Sequence, residues 1–69
     1  ISIVGSIGTA TSYRYLTLTN NSAYRMQIKV HTHSDWDFIV FTDDQGNTGN
    51  RITITLSPNS TYRLRVHGY

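Results

Sequence analysis

Apolar and polar residues alternate with a period of two in several segments of the chain. In residues 24–31, the even positions are apolar and the odd positions are polar. Successive side chains of a strand point to opposite faces, so this pattern predicts a half-buried antiparallel strand. The positions expected to face the core are Tyr24, Met26, Ile28 and Val30.

Five further segments have the composition of strands. They are residues 1–7, 13–19, 36–41, 51–56 and 62–67. The segment 36–41 is apolar on both faces, which predicts a strand at the centre of a sheet with Trp36 in the core. Asn, Ser, Pro and Gly residues in segments 20–22, 43–50 and 57–60 predict turns or loops between the strands.

This order of about six short strands, without a helical period, predicts an all-β fold. The expected architecture is a small antiparallel β-sandwich or jelly roll, with a small barrel as the alternative. The 69 residues fit a single domain, 1–69, with a thin core. Without cysteine, the stability must come from β packing, from a bound metal, or from association with another chain or domain, such as a second copy in a homo-oligomer. The chain contains no apolar run of about 18 residues, so the sequence predicts no transmembrane segment.

Composition also bears on location and chemistry. Ten Thr, seven Ser and five Asn against one Lys and no Glu are typical of a secreted or cell-surface protein. The start at Ile1 is expected for a processed protein or for a piece of a longer one. The chain lacks Cys and a Gly-x-Ser-x-Gly motif, and so small a domain has no room for a substrate cleft. We therefore expect a protein that is not an enzyme.

Three stretches together carry a family resemblance. They are GTATSYRYLTLT (8–19), SDWDFIVF (34–41) and STYRLRVHGY (60–69). In this order they resemble the bacterial pre-peptidase C-terminal domain, a small β-sandwich of secreted peptidases. The resemblance implies a non-catalytic accessory module. It further implies binding to collagen or another polymer, sometimes with calcium.

Basic residues occupy the predicted outward positions of two strands. If both strands belong to one sheet, they form a cationic face of about four charges that can hold anionic polysaccharide or lipid headgroups. Nucleic acid is not an expected partner, because a stacking platform needs more exposed aromatic residues. A solvated face that discourages aggregation is the alternative. The candidate ligand-binding residues are Tyr13, Tyr15, Arg25, Lys29, Arg63 and Arg65, with Trp36 and Tyr69 as further aromatic contacts.

Two sets of side chains are candidate metal ligands. His31 and His33 lie two positions apart, and with His67 they can form a zinc or copper site. The alternative is that they are ordinary surface histidines. The carboxylates of Asp35, Asp37, Asp43 and Asp44 are candidate calcium ligands, or else simply turn formers.

Three functions remain open from the sequence. The first is a binding module that attaches a secreted or cell-surface protein to a polysaccharide, matrix protein or surface. The second is a free-standing antimicrobial or toxin-like effector that uses its cationic face on anionic membranes. The third is a protease inhibitor or assembly subunit that docks through its strand edges.

Overall fold

The computed structural model of the chain describes residues 1–68, and the candidate contact Tyr69 lies outside the described residues. The described part contains strands and no helix, so no helix in it is suited to crossing a membrane. The strands are β1 (Ser2–Gly5), β2 (Arg14–Asn20), β3 (Met26–His31), β4 (Ile39–Thr42), β5 (Thr48–Gly49), β6 (Arg51–Leu56) and β7 (Ser60–Gly68). The all-β prediction is confirmed.

The strands form two antiparallel sheets. The large sheet has the order β1-β2-β7-β4-β5, and the small sheet pairs β3 with β6. An isolated parallel bridge joins Gly8 to His67, where the segment after β1 reaches the end of β7. Two sheets with a shared core make a small β-sandwich, as the alternation predicted.

The core lies between the two sheets. Strands β2, β4 and β7 of the large sheet contribute five of its buried residues, and β6 of the small sheet contributes two. Partly buried residues of β3 pack against them. The buried set is Leu18, Ile39, Phe41, Ile54, Leu56, Leu64 and Val66. Strands β6 and β7 alternate buried and exposed positions, so their remaining side chains belong to the outer faces of the sandwich, whereas β4 is buried on both faces.

Tyr24 is not a core residue, contrary to the prediction. Strand β3 begins only at Met26, and Tyr24 is 78% exposed. The backbone before β3 is held in a turn, because the side-chain amide of Asn20 donates a hydrogen bond to the Tyr24 carbonyl at 2.7 Å. The alternating pattern therefore begins two residues before the strand does.

The prediction for segment 36–41 is wrong at its first half. Trp36 is 50% exposed and Phe38 is 44% exposed. Two consecutive turns precede β4: the Trp36 N–H donates to His33 O at 2.8 Å, and the Ile39 N–H donates to Trp36 O at 3.2 Å. Strand β4 is buried on both faces, as expected, but β7 and not β4 occupies the centre of the large sheet.

Strand β5 was predicted as part of a loop. It has only two residues, which pair with the end of β4 through Phe41–Gly49 and Thr42–Thr48. Gly and Asn surround this pair in the sequence, so its composition is that of a loop. The preceding turn holds the pairing in place, with the Asp43 N–H donating to Asn47 O at 3.0 Å.

Asn20 is a fully buried polar residue that joins three segments. Its side-chain amide donates to Tyr24 O at 2.7 Å and to Ser57 O at 3.0 Å. Its side-chain oxygen accepts hydrogen bonds from the N–H of Ser22 at 3.1 Å and from the Ser22 hydroxyl at 2.8 Å. Because buried polar groups need such partners, Asn20 fixes how β2 meets the turns before β3 and after β6.

Candidate functional site

Two tyrosines and two arginines lie together on the outer face of the large sheet. In β7, Leu64 and Val66 are fully buried, so the residues that alternate with them point to solvent. Strand β2 lies beside β7 and contributes Tyr15 to the same face, and Tyr13, just before β2, contacts Arg65 and His67 there. We call this surface the Tyr–Arg face and define it by Tyr13, Tyr15, Arg63, Arg65 and His67.

Each arginine of this face covers a tyrosine ring. The guanidinium carbon of Arg63 lies 4.1 Å from the centre of the Tyr15 ring, and that of Arg65 lies 5.1 Å from the centre of the Tyr13 ring. The register pairs Tyr15 with Arg65, so these contacts run diagonally between the strands. Both distances are within the range of cation–π attraction.

The aromatic row continues to the end of β7. The ring of Tyr13 meets the imidazole of His67 edge to face, with ring centres 4.7 Å apart and planes at 78°. His67 is half-buried, whereas Tyr13 and Tyr15 are exposed. The Tyr–Arg face is therefore a row of planar groups in contact with one another, and two positive charges lie on it.

These two charges have no counter-charge in the described part of the chain. The ion pair found among residues 1–68 joins His33 and Asp35 at 3.6 Å, in the turns before β4. Arg63 and Arg65 are exposed. A guanidinium presents planar N–H donors that match the two oxygens of a carboxylate or sulfate. The Tyr–Arg face can therefore accept an anion without first breaking an internal ion pair.

The other predicted cations lie on the opposite side of the sandwich. Lys29 belongs to β3 and Arg25 immediately precedes it, so both are associated with the small sheet, whereas Arg63 and Arg65 belong to the large sheet. The predicted cationic face of four charges required both strands to belong to one sheet. They belong to different sheets, so this face does not form. The small sheet has its own outer face, the small-sheet face, which we define by Arg25, Gln27, Lys29, His31, Arg51 and Thr55.

The three histidines are not brought together. His31 ends β3 in the small sheet and is exposed, His33 lies in the turn that follows, and His67 lies on the Tyr–Arg face. The strand ends at His31, so the spacing of two no longer places His33 on the same face. In residues 1–68 there is no group of three His, Cys, Asp or Glu side chains that can hold a metal ion. The predicted three-histidine site is not assembled.

The four carboxylates are divided between two loops. Asp35 and Asp37 precede β4, whereas Asp43 and Asp44 follow it, so the two pairs lie at opposite ends of that strand. Asp35 and Asp37 lie in the turns before β4 and not in a strand, so no strand places them on one face. The structure therefore does not gather these side chains into the predicted calcium site.

Asp43 has a local role instead. Its carboxylate accepts hydrogen bonds from the N–H of Gln45 at 3.0 Å, the N–H of Asn47 at 2.8 Å and the side-chain amide of Asn47 at 3.0 Å. The side-chain amide of Asn47 is the main reason that the pKa of Asp43 lies below its ordinary value. Asp43 is thus a turn former, which was the alternative to a calcium ligand.

A hollow of about 320 Å³ lies beside this turn, between the β4–β5 hairpin and β6. Tyr62 lines it, and the Tyr62 hydroxyl accepts a hydrogen bond from the N–H of Asp44 at 2.9 Å. Burial raises the pKa of Tyr62 above its ordinary value. This contact attaches the hairpin to the start of β7, so the role of Tyr62 is structural.

The exposed aromatic pair of Trp36 and Phe38 was predicted only in part, since Trp36 was named as a possible contact and Phe38 was not. The two rings stack with centres 6.0 Å apart and planes at 27°. Two aspartates, at positions 35 and 37, alternate with the aromatic residues. This alternation of charged and aromatic residues is the signal that argues against a strand buried on both faces.

Comparisons of the chain with protein-family models, with curated proteins and with solved structures find no match. The resemblance to the pre-peptidase C-terminal domain therefore remains a prediction. The functional interpretation rests on the geometry of the two outer faces.

Proposed function

We propose that the chain is a non-catalytic binding module of a secreted or cell-surface protein, and that its Tyr–Arg face binds an acidic polysaccharide. The observation that carries the proposal is the pair of arginine–tyrosine contacts at 4.1 Å and 5.1 Å on neighbouring strands. Both guanidinium groups are exposed and have no ion-pair partner in residues 1–68.

The stacking prepares the two arginines for binding. A free arginine side chain loses rotamer freedom when it binds a ligand, which weakens the complex by about 0.5–1.5 kcal/mol for each immobilised side chain. Tyr15 and Tyr13 already restrict Arg63 and Arg65 by covering one side of each guanidinium. Part of this loss of rotamer freedom has therefore occurred before the ligand binds, while the N–H groups at the guanidinium edge stay accessible.

The spacing of the two charges favours a polymer over a single small anion. Residues two apart in a strand are separated by about 7 Å along it, so Arg63 and Arg65 present a short row of positive charge. Threonines flank this row on the same outer face, at positions 17, 19 and 61, and supply hydroxyl partners for sugars. A chain that repeats carboxylate or sulfate groups can follow the row, whereas a lone anion meets only one guanidinium.

The proposal predicts binding that can be assigned to this face by NMR. Isotopically labelled protein is titrated with a sulfated heparin-type hexasaccharide, a galacturonate hexasaccharide and a neutral dextran-type oligosaccharide. We expect the acidic oligosaccharides, and not the neutral one, to shift the side-chain N–H signals of Arg63 and Arg65 and the amide signals of β2 and β7.

The variant Arg63→Gln plus Arg65→Gln is expected to weaken binding at β2 and β7 at least about tenfold, because each charge-assisted hydrogen bond contributes about 1.5–3 kcal/mol. Arg14→Gln is the control, since Arg14 is exposed at the start of β2 but occupies a position that alternates with Tyr13 and Tyr15. Unchanged binding at β2 and β7 in the double variant would contradict the proposal. Leakage of anionic vesicles that requires Arg63 and Arg65, without polysaccharide binding, would instead favour the effector function.

A further inference from the structure

The small-sheet face carries more cations than the Tyr–Arg face. Lys29 alternates with the inward residues Ile28 and Val30, and Arg51 pairs with His31 across the sheet. Arg25 lies just before β3 and reaches this face, because it lines a hollow there together with Gln27 and Thr55. All three cations are exposed, and none forms an ion pair within residues 1–68.

A shallow hollow gives this face a contact point for a ligand. It has a volume of about 410 Å³ and is lined by Arg25, Gln27 and Thr55. Gln27 and Thr55 are register partners on β3 and β6, so their side chains lie beside each other on the outer face. A guanidinium, an amide and a hydroxyl around one hollow provide both charge and neutral hydrogen bonds for an acidic sugar.

The two cationic faces point in opposite directions. Each lies on the outside of its own sheet, and the shared apolar core lies between the sheets. Across the sandwich the backbone extends about 20–21 Å, against 36 Å along its length. An extended polymer bound along one face therefore does not cover the other face, which stays accessible to a second polymer chain.

We propose that the small-sheet face is a second site for the same class of acidic polysaccharide, so that one domain joins two polymer chains. This inference rests on the proposed function of the Tyr–Arg face. It adds an activity, cross-linking, that a single binding face does not have. Two sites on one rigid domain link polymer chains into a network when neither site is saturated.

Two measurements test the inference. Calorimetry with a sulfated heparin-type hexasaccharide counts sites, because an excess of the short ligand fills each site with its own molecule. Light scattering with long heparin chains reports cross-linking. For the unmodified protein we expect two hexasaccharides per chain, and scattering that rises to a maximum and then falls as excess protein saturates the polymer.

Two variants are matched in charge, since each removes two cations from one face: Arg63→Gln plus Arg65→Gln, and Arg25→Gln plus Lys29→Gln. We expect each variant to bind one hexasaccharide and to lose the scattering maximum. If removing Arg25 and Lys29 leaves the site count and the scattering unchanged, the inference is overturned while the proposed function stands. If the unmodified protein binds no acidic hexasaccharide, the proposed function fails as well.

Discussion

The guanidinium of Arg63 lies 4.1 Å from the centre of the Tyr15 ring, although the two residues are not register partners. Tyr15 is paired with Arg65, and Arg63 is paired with Thr17. The long arginine side chain reaches diagonally across β2 and β7, as Arg65 does toward Tyr13. Both arginines thus lean in the same direction along the sheet, and both residues remain exposed.

Removing the aromatic ring beneath Arg63 should weaken ligand binding although Arg63 itself remains. We expect Tyr15→Leu to raise the dissociation constant for a sulfated hexasaccharide at the Tyr–Arg face about two- to fivefold, because Arg63 without the ring beneath it loses about 0.5–1 kcal/mol more side-chain freedom when it binds the ligand. The measurement is the NMR titration followed at β2 and β7.

Tyr15→Phe is the control for this substitution. It keeps the ring face beneath Arg63 and removes only the hydroxyl, so the affinity should stay near that of the unmodified protein. Equal affinity losses for Tyr15→Leu and Tyr15→Phe would show that the hydroxyl and not the ring supports binding, and the stacking argument would then be wrong.

Asn20 should be the most important polar side chain for stability. Asn20→Ala leaves the Tyr24 and Ser57 carbonyls and the Ser22 N–H without this partner. We expect the free energy of unfolding to fall by about 2–4 kcal/mol, since each buried unsatisfied group costs about 1–3 kcal/mol. Urea unfolding measures the change. The exposed neighbour is the control: Asn21→Ala should change stability by less than about 0.5 kcal/mol, and equal losses would contradict the assigned role.

The strands could be predicted from the sequence because alternation is a local property. Strand β6 begins and ends at the predicted residues, and its inward positions Ile52, Ile54 and Leu56 pack in or against the core. The alternation does not say where a strand starts when an apolar residue precedes it in a turn. Tyr24 and Trp36 were misassigned for this reason. The Asn20 side chain holds the Tyr24 carbonyl in a turn, and backbone hydrogen bonds hold Trp36 in another, so both residues lie outside the strands.

The binding faces could be predicted only in part, because they depend on which sheet each strand joins. Outward positions were correct for Lys29, Arg63 and Arg65. Their grouping depended on whether β3 and β7 share a sheet, and pairing between distant strands leaves no mark in local alternation. The diagonal contact of Arg63 with Tyr15 likewise requires the register of β2 and β7.

The turn at Asp43 should make stability fall at low pH. The pKa of Asp43 in the folded chain is below its ordinary value of 3.8, mainly because the side-chain amide of Asn47 donates to its carboxylate. As the pH falls through this ordinary value, the unfolded chain takes up the proton first, so the stabilisation by Asp43 is present above it and is lost below it.

We therefore expect Asp43→Asn to reduce the free energy of unfolding at neutral pH and to have a smaller effect near pH 3, measured by urea unfolding at both pH values. Asp37→Asn is the control for net charge, because Asp37 lies in a different loop. If Asp43→Asn reduces stability equally at both pH values, the carboxylate does not stabilise the turn through its charge.

The exposure of Trp36 can be tested directly, because it is the single tryptophan of the chain. At 50% exposure, its fluorescence should be quenched by acrylamide in the folded protein, at a rate not far below that of the unfolded chain.

Trp36→Ala should also lower the free energy of unfolding by only about 1 kcal/mol, whereas truncation of a buried aromatic residue costs about 3–5 kcal/mol. Phe41→Ala provides that comparison, since Phe41 is 5% exposed in the core. A Trp36 that resists quenching, or a loss for Trp36→Ala as large as that for Phe41→Ala, would mean that the aromatic pair belongs to the core and not to the surface.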